Sequence, residues 1–136
     1  MSKMMKIEEI TPKNIRAVIP DKYKGMGYKK LDKGDEITIT SVVFSIYNAK
    51  KDGAPIITKN GENITNVTVY FGLSDGRYSS LKNDIVYGQM AGLVGFYKTD
   101  VGYYEYDIEP EKVKVVPAQT KMGQKTYEVL AFEPIE

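Results

Sequence analysis

The chain has 136 residues, 42% of them hydrophobic and 27% charged, with a formal net charge of +1; this is the profile of one soluble globular domain, large enough to bury a core without metal or disulfide staples. It contains no cysteine and no histidine, which excludes disulfides, thiolate or imidazole zinc sites, cysteine nucleophiles and the usual histidine general base. No carboxylate pair stands out instead, so the expectation is a non-enzymatic protein with no cofactor and no metal site.

Residues 1–34 read as an extended N-terminal arm. Ile7, Ile10, Ile15, Val18 and Ile19 are loosely spaced and broken by Pro12 and Pro20, and the lysine-rich stretch Lys22–Lys30 interleaves Tyr23, Met26 and Tyr28. A short strand is expected at Met26–Leu31. The start, MSKMMKIEEI, lacks the apolar segment of a secretory signal, and no apolar run approaches 18 residues, so a cytoplasmic protein without a membrane partner is expected. For a viral protein that compartment is the host cytoplasm.

From residue 35 to the end a single domain is expected. Asp35–Tyr47 is the longest strand signal, rich in β-branched and aromatic residues. Ile37, Ile39 and Val43 share one alternation phase and Val42, Phe44 and Ile46 the other, which predicts a bulge near Ser41. Asn48–Asn66 is a polar loop with turn formers at Asp52-Gly53 and Asn60-Gly61, and Ile56–Thr58 is a candidate small strand leading to a tip at Lys59–Glu62. Val67, Val69, Phe71 and Leu73 alternate with polar or small residues as a half-buried strand, and Asp75-Gly76 turns the chain into a third strand ending at Leu81.

Asn83–Tyr97 predicts an amphipathic helix with Asn83 as N-cap, its Gly88, Gly92 and Gly95 read as allowing close packing on a sheet. Asp100–Glu111 reads as an acidic, tyrosine-rich connector. Lys112–Val116 and Gln124–Phe132 then form two strands around a turn at Thr120–Gly123, with Tyr127 expected in the core. The terminal Phe132–Glu136 reads as a frayed end. Three strands, a helix and two strands is the order of the OB-fold, an all-β five-stranded Greek-key barrel with one helix, whose open face binds oligonucleotides and oligosaccharides.

Single strands are held by aromatic platforms and by cations that follow the phosphates. Tyr70 lies opposite the core phase of its strand and is the leading candidate, joined by Tyr47 at the end of the first strand and by Tyr78 beside Arg77. The cations cluster in the two loops that border the OB groove: Lys50, Lys51 and Lys59 in one, Lys121 and Lys125 at the other. Residues 1–82 carry fourteen Lys/Arg against nine Asp/Glu, and residues 83–136 carry five against nine, so the first part of the chain is the more attractive to phosphates. The lysines of the arm, Lys22, Lys24, Lys29 and Lys30, extend the same pattern more weakly.

The runs DEITITSVVFSIYNAKKDG, NVTVYFGLSDGRYSSL and VKVVPAQTKMGQKTYEVLAFEP resemble the single-stranded DNA-binding proteins of tailed bacteriophages over about residues 35–134. The shared parts are the long first strand, the hairpin with Phe71 and Asp75-Gly76-Arg77-Tyr78, and the closing hairpin from Val115-Val116 to Tyr127. The resemblance implies an OB-fold that coats single-stranded DNA without sequence preference during phage replication or recombination, with phage replication or recombination proteins and further copies of itself as possible partners. The alternative of another class is a structural or interaction barrel, such as a virion or inhibitor component, that binds a protein. A carbohydrate-binding OB module would lack the lysine-lined loops.

Overall fold

The computed structural model describes residues 19–97 and 100–135, apart from the side chains of Lys51 and Met122; the arm reading of residues 1–18 lies outside the described residues. In chain order the elements are β1 (Gly27–Tyr28), β2 (Glu36–Asn48), β3 (Lys50–Lys51), β4 (Ala54–Pro55), β5 (Thr65–Leu73), β6 (Arg77–Leu81), helix α1 (Asp84–Val94), β7 (Gly102–Met122) and β8 (Lys125–Pro134). Six strands form one curled sheet in the order β1-β6-β5-β2-β7-β8, and β3 and β4 form a separate small hairpin. The β1–β6 pair is parallel and the other pairs are antiparallel. The result is mostly β, a half-barrel with one helix on its inner side. Its principal sheet has six strands rather than five, because the arm contributes β1.

A bulge at Thr40 shapes the inner face. The register shifts between Ile39 and Ser41 against both β5 and β7, and the extra residue reverses the alternation. Ile37 and Ile39 before it, and Val42, Phe44 and Ile46 after it, therefore all enter the main core. The two phases read from the sequence are one face, and only Val43 of that set turns outward, into a separate cluster with Tyr23, Tyr70 and Tyr78.

The stretch read as a connector is strand. Tyr103, Glu105 and Asp107 pair with Ser45, Val43 and Ser41, while the intervening Tyr104, Tyr106 and Ile108 pack on the main core. This is ordinary half-buried alternation, and the carboxylates on its outer side hid it. Beyond Lys114 the β7–β8 hairpin continues as a two-stranded ribbon, turning at Gly123 (φ 66°). Tyr127 lies on this ribbon and is 44% exposed, not core, because no third strand among the described residues backs it there. The predicted Ile56–Thr58 strand is reduced to one bridge, Ile57 with Asn63. The Asp52-Gly53 turn closes β3 on β4 with both residues at positive φ, as a tight hairpin demands.

Helix α1 starts where the sequence places it. The Asn83 side chain accepts from the Val86 amide at 2.8 Å, and Gly95 ends the helix in the left-handed region (φ 73°). Val86 and Met90 enter the core, and Phe96, just past the helix, stacks on Phe44 with centroids 4.3 Å apart. Gly88 and Gly92 do not mediate close packing: a Cβ at either would meet nothing within 4 Å. The helix also closes part of the open edge of β8. Gln89 donates to the Phe132 carbonyl (2.7 Å) and accepts from the Phe132 amide (3.0 Å), and Asn83 donates to the Leu130 carbonyl (2.9 Å). Two side-chain amides thus do for this edge what a neighbouring strand would do.

Candidate functional site

The outer face of the curled sheet is built by alternation from the bulge onward. Ser41, Val43, Ser45 and Tyr47 of β2 stand across from Gly72, Tyr70, Thr68 and Asn66 of β5, and Ser80 and Tyr78 of β6 stand beyond Tyr70 and Gly72. One end of this face is strapped over. After Pro20 a short 3-10 turn, Asp21–Tyr23, drives the Tyr23 ring into the sheet, where it is 1% exposed. Its hydroxyl lies 3.0 Å from Ser41 Oγ, and its ring stacks on Tyr78 (centroids 5.7 Å, interplanar angle 3°).

Gly72 makes room for this packing. A Cβ there would strike Ser41 Oγ and sit 3.2 Å from the Tyr23 ring. Lys22 pairs with Asp107 of β7 at 2.7 Å, and Lys24 with Asp21 at 2.7 Å. These two arm lysines are matched by acids within the protein. At the far side of the strap, β1 docks on β6, the Lys29 amide donates to the Tyr78 carbonyl (2.9 Å) and Ser79 Oγ donates to the Lys29 carbonyl (2.7 Å).

The end of the face that the strap leaves open among the described residues is a groove of about 580 Å³, lined by Tyr28, Tyr47, Tyr70 and Tyr78, by the polar side chains of Asn48, Asn66, Thr68 and Ser80, and by Lys50, Lys82 and Ile19. Tyr28 is the most open ring, at 52% exposure, set edge-on to Tyr78 (centroids 5.3 Å, 71°). Tyr47, Tyr70 and Tyr78 are held in the wall at 7–8% exposure. Lys82 Nζ sits 5.4 Å from the centre of the Tyr47 ring, a cation–π distance, and the Tyr47 hydroxyl lies 3.2 Å from Thr68 Oγ1. Burial pushes the Tyr70 phenol up to about 12, with smaller contributions from the surrounding tyrosines, and burial likewise raises Tyr23 to about 12. Both rings are neutral at physiological pH.

Four of the residues singled out from sequence, Tyr47, Lys50, Tyr70 and Tyr78, meet in this groove. Arg77, Lys59, Lys121 and Lys125 do not line it. Arg77 folds back on its own turn, its Nε and Nη2 donating to Asp75 Oδ2 at 2.9 and 2.5 Å. Lys59 is exposed in the Thr58–Glu62 turn, and Lys121 and Lys125 are exposed at the tip of the β7–β8 ribbon. The Lys51 backbone belongs to β3 and its side chain lies outside the described residues.

Asn66, Ser80 and Lys82 were legible but unread: Asn66 and Thr68 continue the Tyr70 phase backward by twos, and Ser80 and Lys82 continue the Tyr78 phase forward. Tyr28 carried no such signal, since only the parallel β1–β6 pair brings it beside Tyr78. No helix among the described residues is long and apolar enough to cross a membrane. Comparison of the chain with protein-family models, with curated proteins and with solved structures gives no match in any of the three.

Proposed function

We propose that the protein binds single-stranded DNA, without catalysis and without strong sequence preference, in the tyrosine groove on the outer face of its half-barrel. The observation that carries this reading is the coincidence, in one open groove, of four tyrosine rings with Lys50 and Lys82. Rings offer stacking surfaces to any base and lysines meet the phosphates. The element order β2-β5-β6-α1-β7-β8, with β2 between β5 and β7, supports an OB-type barrel, a fold whose open face takes such ligands. Lys50 and Lys82 then act as phosphate contacts, and Tyr28, the most open ring, as the first stacking platform, with the edges of Tyr47 and Tyr70 behind it. A role in phage DNA replication or recombination rests on the family resemblance alone.

One observation favours a second reading. Glu105 stands exposed on the outer side of β7 beside the same face, which suits a basic protein partner better than a polyanion. The chain has no tryptophan and eleven tyrosines, so its own fluorescence reports stacking. Titration with poly-dT at low and high salt is expected to quench tyrosine emission, with an affinity that falls steeply as salt rises because released counterions drive binding. No quenching and no binding at low salt would overturn the reading. Association with a basic protein, and none with DNA at low salt, would establish the second.

A further inference from the structure

The groove is more than a set of rings and charges. Four hydrogen-bonding side chains, Asn48, Asn66, Thr68 and Ser80, share it with the tyrosines. Thr68 and Ser80 are engaged locally, their hydroxyl oxygens 3.2 Å from the Tyr47 hydroxyl and 3.4 Å from the Tyr28 hydroxyl. The side-chain amides of Asn48 and Asn66 have no hydrogen-bond partner in the protein among the described residues. Asn66 stands directly across from Tyr47, shares its face with Thr68 and Tyr70, and lines the groove beside these rings.

We propose that Asn66 reads the hydrogen-bonding edge of an unpaired nucleobase that stacks in the groove, with Asn48 in support. This rests on the single-strand reading above and adds a base-recognition step to it. A carboxamide presents a donor and an acceptor side by side, the complement of the paired donor and acceptor found on base edges, and asparagine meets adenine in this way in duplex recognition. A phosphate offers only acceptors and calls for donors alone, which Lys50 and Lys82 already supply. The Watson–Crick edge of thymine, N3–H beside O4 or O2, offers the same donor–acceptor pair and, unlike the major-groove edge of adenine, is occupied by base pairing in a duplex, so a contact there selects single strands over double strands. Either arrangement of donor and acceptor satisfies an amide that can turn over, so the contact demands a base edge without demanding one particular base.

The test compares two oligonucleotides of equal length, oligo-dT and a strand in which each thymine is replaced by its difluorotoluene isostere, which keeps the shape and stacking of the base and lacks its hydrogen bonds. Wild-type protein is expected to bind oligo-dT about three- to tenfold more tightly, the range of one net hydrogen bond, and Asn66→Ala is expected to bind the two strands alike. Equal affinity of the wild-type protein for both strands overturns the inference and leaves the single-strand reading standing. Full discrimination retained by Asn66→Ala also overturns it. If neither strand binds, the single-strand reading itself fails and the base-edge inference falls with it.

Discussion

Tyr23 shows how far one side chain can organise this molecule. Its ring is stacked on Tyr78, its hydroxyl meets Ser41, and its seat exists because position 72 has no Cβ. Burial raises the phenols of Tyr23 and Tyr70 from about 10 to about 12, which ties stability to alkaline pH. The folded state holds these protons more tightly than the unfolded chain does. The contribution is therefore fully present below pH 10 and is lost as pH rises from about 10 to about 12, at roughly 2–3 kcal/mol for each ring. Urea unfolding at pH 9 and pH 11.5 should show a clear loss of stability, and Tyr23→Phe should lose less over the same interval than the wild-type protein. At this scale the sequence was partly readable. The phase of Tyr70 opposite Val69 and Phe71 placed it on the outer face, but burial under a strap that arrives from some fifty residues earlier cannot be read from alternation.

The elements with local causes were the ones legible beforehand. Asn83 caps α1, Asp75-Gly76 turns β5 into β6, and the mixed phase of β2 announced its bulge, each depending on a few adjacent residues; the helix stop at Gly95, short of the expected Tyr97, was not read. Elements that depend on distant partners were misread. The first half of β7, up to Glu111, looked like a connector because its outer side is acidic, and only the positions of Tyr104, Tyr106 and Ile108 against the core explain it as strand. The helix glycines looked like packing devices, yet Gly88 and Gly92 face open space. They lower helix propensity and have no steric task that requires them. Gly88→Ala and Gly92→Ala should each raise unfolding stability by about 0.5–1 kcal/mol, read from denaturant midpoints; a loss of stability would show that the helix is packed more tightly than its exposure indicates.

At the scale of the whole molecule, the sheet is a half-barrel with two differently protected edges. The edge of β6 is partly covered by β1, and the edge of β8 is partly answered by Asn83 and Gln89 of the helix. The inner side is filled by the core and α1, while the outer side is divided into a strapped half around Tyr23 and an open half around Tyr28, Tyr47 and Asn66. The order of strands and helix was visible in the sequence, and with it the outer face on which Tyr70 stands. The groove itself was not, because β1 supplies Tyr28 from the arm and, of the loop lysines expected at its rim, Lys50 lines it while Lys59, Lys121 and Lys125 stand elsewhere. Acid on the outer side of β7 and lysine at the groove give the face a direction that a net charge of +1 conceals. In the proposed function this open half receives an unpaired strand, and backbone amide NMR spectra recorded while oligo-dT is added at low salt would locate it. Shifts concentrated on β1, β5, β6 and the second half of β2 are expected; shifts confined to α1 and β8, or none at all, would rule that function out.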